Sequence, residues 1–303
     1  MVYTYAMTAL RLKGEKGMNV MDIATKSVQT LPQTATIMNA LKFMLSKNFR
    51  RIPITDAGTK KLRGVITATD FVNFFGGGSK HGIVRNRYSG NLSIAVNAEI
   101  KEIMEKNVVS IDKDASIDEA VEIMFQKKVG GCPVVDDDVV IGIVTERDIL
   151  KFLAQNRKKI DGIAAEFMTK NVVTIKAKDT IENAMKTMIS RKFRRLPVIE
   201  NGILIGMITS REILAYFGKG EAFKMLEIGD ISEAIRKPVA TILVNDELNM
   251  HKEVLMFPKD VLISQIVSAM IEKGHGAALI VENAKLEGII TERDLVKFLY
   301  QSS

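Results

Sequence analysis

The chain has 303 residues, 47% of them apolar and 26% charged, a balance that indicates a globular protein with room for two ordinary domains. Its single cysteine, Cys132, excludes an internal disulfide and favours a reducing, cytoplasmic setting. The net charge of +7 is compatible with nucleic acid, a membrane surface or a nucleotide as partner, but no apolar run is long enough to cross a bilayer.

The first part of the chain predicts one strand-helix-strand-strand-helix unit. Residues 1–17 form an N-terminal arm without a secretory signal, and a short strand follows at 28–31. Apolar residues at helical spacing then predict a helix, and these are Ile37, Ala40, Leu41, Met44 and Leu45. A second strand starts at 50–54, and a third strand runs into Gly64 and the last helix.

The same unit returns three more times. We predict that the four units occupy residues 18–76, 100–155, 156–218 and 219–303. Residues 77–99 are a Gly-rich and polar connection, which we expect to be a flexible joint, and the fourth unit has an insertion near 238–252. The first strand of that unit is placed at 254–257 in preference to 239–242. The repeated glycines Gly64, Gly142, Gly206 and Gly288 lie 78, 64 and 82 residues apart, so the units do not form an even array. The short middle step between two longer ones suggests two pairs of units.

A seven-residue junction, Gly-hydrophobic-hydrophobic-Thr-x-x-acid, leads from the third strand into the last helix of every unit. Its four copies run from Gly64 to Asp70, Gly142 to Asp148, Gly206 to Glu212, and Gly288 to Asp294. In one interpretation, Thr and the acid form a capping box that satisfies backbone N–H groups at the helix start. In the other, those N–H groups and the helix dipole face an anion, and the acid binds hydroxyls of its sugar. The two interpretations are compatible.

The four units resemble tandem cystathionine-beta-synthase (CBS) domains arranged as two pairs, which are called Bateman modules. The resemblance rests on the first-strand pattern Val-x-Thr/Ser-hydrophobic, the hydrophobic-Pro-Val strand and the junction with its helix, and it covers about residues 18–299. It implies an α/β (α+β) fold with four CBS repeats in a flat disc, similar in layout to the gamma subunit of AMP-activated protein kinase. It also implies that AMP, ADP, ATP or S-adenosylmethionine binds in clefts between paired repeats.

The resemblance assigns ribose-facing roles to three junctions. The matching pairs are Thr67 with Asp70, Thr145 with Asp148, and Thr291 with Asp294. In the third unit, the longer Glu212 would push its carboxylate into the space of a ribose, so ribose binding is not expected beside Thr209. A first-strand position that borders the base is matched by Thr30, Ser110 and Thr174. The fourth unit departs from this position with Met256.

The resemblance also places phosphate-binding arginines just before the hydrophobic-Pro step of the second strand. The matching positions are Arg50, Arg51, Ile52, Pro53, Arg194, Arg195, Leu196 and Pro197. Arginine suits phosphate because its planar guanidinium donates two hydrogen bonds at once. The second and fourth units have small residues here, Gly130-Gly131 and Gly276-Ala277, which suggests an asymmetric cleft in each pair. Single arginines at the junctions are further candidates, namely Arg147, Arg211 and Arg293.

The sequence therefore predicts a non-catalytic, cytoplasmic sensor that binds an adenine nucleotide, AMP before ADP or ATP, and regulates an unidentified protein. The alternatives are an S-adenosylmethionine sensor of the same fold, a basic nucleic-acid-binding protein, and a nucleotide hydrolase. No recognition-helix motif, nucleophile–base pair or metal-ligand spacing supports nucleic-acid binding, catalysis or a metal site. The arginines have the further alternative of being solvated or ion-paired surface residues. A monomeric four-repeat disc and a homodimer are both compatible with the sequence.

Overall fold

The computed structural model describes residues 18–156, 161–245 and 254–301. In these ranges the chain forms four three-stranded sheets, one in each predicted unit, and every sheet has its strands in chain order. The short first strand pairs parallel with the second, and the second pairs antiparallel with the third. The α/β class with four strand-helix-strand-strand-helix repeats is thereby confirmed.

The first two repeats have the predicted order of elements. The first repeat, with a short helix before it, consists of α1 Val20–Ile23, β1 Leu31–Pro32, α2 Ile37–Ser46, β2 Arg51–Thr55, β3 Leu62–Thr67 and α3 Ala68–Val72. The connection that follows contains a π-helical turn Asn73–Gly77, α4 His81–Arg87, α5 Leu92–Ala95 and a 3₁₀ turn Ile100–Glu102. The second repeat consists of β4 Ile111–Asp112, α6 Ile117–Lys127, β5 Gly131–Asp136, β6 Val139–Thr145 and α7 Glu146–Asn156.

The last two repeats follow the same order. The third consists of α8 Ala164–Phe167, β7 Ile175–Lys176, α9 Ile181–Arg191, β8 Arg195–Glu200, β9 Ile203–Thr209 and α10 Ser210–Gly218. The segment after it contains α11 Gly220–Ile228, α12 Ser232–Arg236 and α13 Ala240–Leu243. The fourth repeat consists of β10 Met256–Phe257, α14 Ile263–Glu272, β11 Ala277–Glu282, β12 Lys285–Thr291 and α15 Glu292–Gln301. Its first strand lies in the preferred segment 254–257.

Side-chain caps explain where the first helix of three repeats begins. The hydroxyls of Thr36, Ser116 and Thr180 accept hydrogen bonds from the backbone N–H three residues later, at 3.1–3.2 Å. These helices then bury one apolar stripe, as the helical spacing predicts. The first strands are shorter than expected, so Thr30 lies just before β1 and Ser110 and Thr174 just before β4 and β7.

The core is divided into two clusters, each shared by two repeats that are not consecutive in sequence. One cluster joins the first and third repeats, where the rings of Phe75 and Phe217 lie 4.7 Å apart. The other joins the second and fourth repeats, where α7 packs along α15. Consecutive repeats meet instead through backbone bridges, such as Val65 to Glu105 and Thr169 to Ile289. Every repeat therefore has two neighbours, one through helices and one through strand edges.

The repeated glycine of the junction marks the place where the segment preceding the partner repeat crosses the third strand. A Cβ on Gly64 would lie 2.4 Å from the sulfur of Met104 and 3.0 Å from the carbonyl oxygen of Glu105. A Cβ on Gly288 would lie 2.5 Å from the sulfur of Met168. At these two positions the glycine is thus required by packing between consecutive repeats, whereas a Cβ on Gly206 or Gly142 would lie 3.2 or 3.4 Å from its nearest neighbour.

The connection at 77–99 is not the flexible joint that its composition suggests. It contains α4 and α5, and it buries Val84, Leu92 and Ala95 completely or nearly so. Its glycines allow close packing, because a Cβ on Gly77 would lie 2.7 Å from a backbone carbonyl oxygen and 2.9 Å from Ile189 of the third repeat. The predicted arm at 1–17 and residues 246–252 of the predicted insertion lie outside the described residues.

Two glycine substitutions in this connection test the packing. We expect Gly77→Ala to lower the free energy of unfolding by about 1–3 kcal/mol, because backbone as well as side chain would have to move. Gly82→Ala is the control, since no atom lies within 4 Å of its added Cβ in α4, and it should be neutral or stabilise by up to ~1 kcal/mol. Urea denaturation measures both. Equal effects of the two substitutions would contradict the packing described here.

Candidate functional site

The four strand-to-helix junctions converge at the centre of the molecule and border two cavities. The first cavity, of about 420 Å³, has walls from Val65, Val109 and Pro133 and is lined by residues of all four repeats. The second, of about 850 Å³, has apolar walls from Val28, Pro53 and Ile143. Both cavities contain Arg50, Arg51, Arg194 and Arg211, so the two share their basic end.

Many of the predicted site residues line these cavities. Those in the first cavity are Arg50, Arg51, Thr67, Arg194, Arg195, Thr209, Arg211 and Arg293. Those in the second cavity are Arg50, Arg51, Pro53, Thr145, Arg147, Asp148, Arg194 and Arg211. The structure therefore brings the paired arginines of the first and third repeats together with the junction of the second.

The remaining predicted site residues line neither of these two cavities. They are Thr30, Ile52, Asp70, Ser110, Thr174, Leu196, Pro197, Thr291 and Asp294. Ile52 and Leu196 are fully buried in the core because side chains alternate across a strand, and their neighbours Arg51 and Arg195 take the cavity side. Thr30 lies outside both cavities, and its hydroxyl accepts a hydrogen bond from the hydroxyl of Thr55 at 3.2 Å.

Three junctions form the predicted hydrogen bonds between Thr and Asp. In the second repeat, the backbone N–H and the hydroxyl of Thr145 donate to Oδ2 of Asp148 at 2.9 and 2.6 Å. Thr67 and Thr291 make the same pair of bonds to Asp70 and Asp294. Burial raises the pKa of Asp148 despite these bonds. The helix start thus occupies one carboxylate oxygen and leaves Asp148 at the cavity wall.

The third junction differs because its acid is longer. The N–H of Thr209 donates to Oε2 of Glu212 at 2.9 Å, and its hydroxyl donates to the same oxygen. Glu212 is 1% exposed, and burial raises its pKa above the ordinary value. Its carboxylate is therefore turned into the helix start and lines neither cavity.

Two glutamates at the centre connect all four repeats, and sequence reasoning did not identify them. Arg147 donates through Nε to Glu292 at 2.6 Å, and Arg293 donates through Nε to Glu146 at the same distance. A reciprocal pair of ion bonds thus links the second and fourth repeats. The first repeat joins through Arg50 to Glu292 at 3.3 Å, and the third through Arg194 to Glu146 at 3.6 Å.

The sequence does contain a signal for this arrangement. Glu146 and Glu292 directly follow the junction Thr in the second and fourth repeats, where the other two repeats have the small residues Ala68 and Ser210. The glutamate is thus present in the second and fourth repeats, whereas the arginine pairs are present in the first and third. In this structure, the first and third repeats contribute arginine pairs, and the second and fourth repeats each contribute one glutamate and one arginine.

The small residues opposite the arginine pairs make room for them. A Cβ on Gly131 would lie 2.0 Å from Nη1 of Arg51. A Cβ on Gly276 would lie 2.9 Å from Arg195 and 3.0 Å from Arg50. Arg195 also donates a hydrogen bond to the carbonyl oxygen of Gly276. The alternation of basic and small residues in the sequence is therefore a steric fit between repeats.

Positive charge exceeds negative charge at this centre. Arg51 and Arg195 form no ion pair within 4.0 Å in the described part of the chain. Burial, together with smaller effects of neighbouring arginines, lowers the pKa of Arg50, Arg51 and Arg195 to about 10. Every one of these groups is still a cation at neutral pH. The arginines that line the two cavities outnumber the carboxylates that line them, which are Glu105, Glu146, Asp148 and Glu292, so the centre carries a net positive charge.

The described residues offer little for metal or nucleophilic chemistry. No group of three or more His, Cys, Asp or Glu within them is placed to hold a metal ion. Cys132 is buried, and burial raises the pKa of its thiol to about 11, which makes it a poor nucleophile. In the same ranges, none of the helices combines the length and apolar character that a bilayer crossing requires.

We expect Glu292→Gln to lower the free energy of unfolding of the ligand-free protein by about 3 kcal/mol, because two partly buried arginines lose their carboxylate. The matched control is Glu99→Gln, which breaks the exposed pair of Glu99 with Lys101 and should cost less than ~1 kcal/mol. Urea denaturation at neutral pH compares them. A loss for Glu292→Gln no larger than for the control would show that the central pairs do not stabilise the fold.

The effect of Glu292→Gln on the free energy of unfolding should depend on pH. Burial alone would raise the pKa of Glu292, but Arg50, Arg147 and Arg195 outweigh it and hold the pKa below the ordinary 4.5. The stabilisation by the carboxylate is therefore complete above pH 4.5 and is lost as the pH falls through the lowered value. We expect the difference in unfolding free energy between wild type and Glu292→Gln to shrink in this acidic range. A difference that grows on acidification would contradict the assignment.

Known proteins are similar to this chain over most of its length. A family model described as CBS domain matches residues 20–77, 100–155, 164–219 and 243–301. Protein MJ1225 of Methanocaldococcus jannaschii is 35% identical over 284 residues, which make up 92% of this chain and 98% of that protein. Its crystal structure, presented as that of a candidate archaeal homologue of the γ subunit of AMP-activated protein kinase, has a TM-score of 0.86 at 33% identity. The match covers 93% of this chain and 99% of that one.

Two further relatives match over most of their length. A 33.4 kDa protein from a ribosomal RNA operon of Thermofilum pendens is 28% identical over 267 residues, covering 88% of this chain and 86% of that protein. A conserved protein of Pyrococcus horikoshii shares the fold, with a TM-score of 0.56 at 19% identity, covering 93% of this chain and 100% of that one. The similarity thus extends over most of the length of each of these proteins.

Proposed function

Because the chain belongs to the CBS domain family, we propose that it is a regulatory protein whose central clefts bind adenine nucleotides, with AMP as the favoured ligand. The observation that supports this most directly is the second cavity, which combines apolar walls, the Asp148 carboxylate and the arginine cluster. These groups match the three parts of an adenine nucleotide, namely a flat apolar base, a sugar diol and phosphate.

The walls of the second cavity suit the base and the sugar. Val28, Pro53 and Ile143 provide apolar contacts for a planar ring. Asp148 accepts the capping bonds of Thr145 through Oδ2, so Oδ1 remains available to accept hydrogen bonds from ribose hydroxyls. Hydroxyl bonds to a carboxylate are charge-assisted, and they distinguish a ribonucleotide from a free base.

The arginine cluster suits the phosphate and disfavours the alternative ligand. Arg50, Arg147 and Arg211 line the second cavity together with Lys273. A nucleotide phosphate provides the multiple negative charge that the two central glutamates do not supply. S-adenosylmethionine has a sulfonium cation and no phosphate, so the same cluster repels it. The charge therefore favours AMP, ADP or ATP over S-adenosylmethionine.

The central glutamates give binding a regulatory consequence. Arg50 and Arg147 both contact Glu292, which belongs to the fourth repeat, so a phosphate in the second cavity competes with that carboxylate. Arg194 and Arg293 hold Glu146 of the second repeat in the same way. A ligand in one cleft thus changes ion pairs that join the first two repeats to the last two. Such a ligand shifts the population of arrangements that a regulated protein could distinguish.

We expect calorimetric titration with AMP to show binding, and Asp148→Asn to weaken it roughly tenfold, the factor expected when a hydrogen bond to a charged acceptor is lost. The control is Asp136→Asn. This aspartate lies in a hairpin away from both cavities, where it pairs with Lys113. Titrations with ADP, ATP and S-adenosylmethionine rank the ligands. The proposal fails if none of the four compounds binds, and S-adenosylmethionine as the tightest ligand would refute the role of the charge.

The proposed role also excludes turnover. We expect ATP to remain intact after prolonged incubation with the protein and magnesium, because arginines engage the cavity glutamates Glu146 and Glu292, and Asp148 accepts the capping bonds of Thr145. Anion-exchange chromatography of the nucleotides detects ADP or AMP formed during the incubation. Product that accumulates in proportion to protein concentration, and that Asp148→Asn abolishes, would show that the protein is an enzyme.

A further inference from the structure

We propose that Lys80 makes the first cavity insensitive to the ribose diol, so that this cleft selects nucleotides by base and phosphate alone. The inference rests on the proposed nucleotide binding and adds a specificity-determining residue to it. It starts from a difference between two aspartates that the sequence treats as equivalent, Asp70 and Asp148. Asp148 lines its cavity, whereas the first cavity is lined by Thr67 and Thr69 but not by Asp70.

The structure shows what occupies Asp70. Its Oδ2 accepts the capping bonds of Thr67 at 2.8 and 2.6 Å, as in the other Asp junctions. Its Oδ1 accepts a hydrogen bond from the ammonium group of Lys80, which also donates to the carbonyl oxygen of Ile103. The side chains of Lys80 and Asp70 are only 22% and 16% exposed. Both carboxylate oxygens are thus engaged, and the charge is neutralised within the protein.

Lys80 is held in this position by the connection between the first two repeats. Its backbone N–H donates to Oδ1 of Asn73 at 2.8 Å, and Gly78 donates to the carbonyl oxygen of Asn73 at 3.3 Å. Gly77, which leaves no space for a side chain, packs the turn against the third repeat. The lysine is therefore delivered to Asp70 by an ordered turn.

The other two Asp junctions have no equivalent cation. Within the described part of the chain, neither Asp148 nor Asp294 forms an ion pair within 4.0 Å. A ribose that approaches either of them finds one carboxylate oxygen unpaired. A ribose that approaches Asp70 would have to displace an ammonium group that is bonded to both a carboxylate and a carbonyl. Since charge-assisted bonds are the strong ones, the diol gains little from that exchange.

The first cavity keeps its other binding groups. Its apolar walls remain available to a base, and Arg51, Arg195 and Arg293 still line it and can contact a phosphate. The two cavities therefore differ in selectivity. The second binds nucleotides that have a ribose diol, and the first binds nucleotides with or without it.

The test compares AMP with 2′,3′-dideoxy-AMP by calorimetry in an Asp148→Asn/Asp294→Asn background, which removes diol recognition elsewhere. With Lys80 present, we expect the two ligands to bind with similar affinity. Adding Lys80→Met should free Asp70 and favour AMP roughly tenfold or more, as a hydrogen bond to a charged acceptor does. Adding Asp70→Asn to that variant should return the ratio to near one. Lys101→Met, which removes an exposed lysine of the same connection, is the matched control and should change nothing.

The outcomes separate this inference from the proposed function. A preference for AMP of tenfold or more while Lys80 is present would overturn the inference alone, and this result needs no Lys80 variant to fold. A ratio that stays near one in a folded Lys80→Met variant would also overturn it, with thermal unfolding as the check on folding. Failure of the wild-type protein to bind AMP, ADP or ATP would overturn the proposed function and the inference together.

Discussion

The structure depends on a pair of reciprocal ion bonds at its centre, Arg147 with Glu292 and Arg293 with Glu146. Each bond joins the second and fourth repeats, and the same two carboxylates also hold arginines of the first and third repeats. Apolar packing alone would give two separate cores, because the first and third repeats share one cluster and the second and fourth share the other. The ion pairs, together with the strand-edge bridges, connect these halves into one body.

This constraint also gives the centre its chemistry. Arginines from two repeats need glycines in the other two to fit, and the glutamates that hold them are too few to balance them. Fold stability and the proposed anion binding therefore depend on the same side chains. In that proposal, a phosphate that enters a cleft would replace carboxylates that link the repeats, which would couple ligand occupancy to the arrangement of the four repeats.

Much of this could be predicted from sequence because local signals repeat four times. The helical spacing of apolar residues, the Thr-x-x-acid junction and the alternation of Arg-Arg with small residues were all visible in the chain. The residues that these side chains contact in the folded protein could not be predicted. Nothing local shows that Glu292 reaches Arg50, that Lys80 reaches Asp70 from a turn that was expected to be flexible, or that Ile52 belongs to the core while Arg51 lines a cavity. Long-range pairing decides these points.

The most direct test of the account is a crystal structure of the protein with AMP. The account predicts density for AMP in the second cavity, with its phosphate bonded to Arg50 and Arg147, its diol at Asp148, and the carboxylate of Glu292 turned away from both arginines. Nucleotide bound outside the central clefts, or AMP present while both Glu292 ion pairs stay intact, would contradict it.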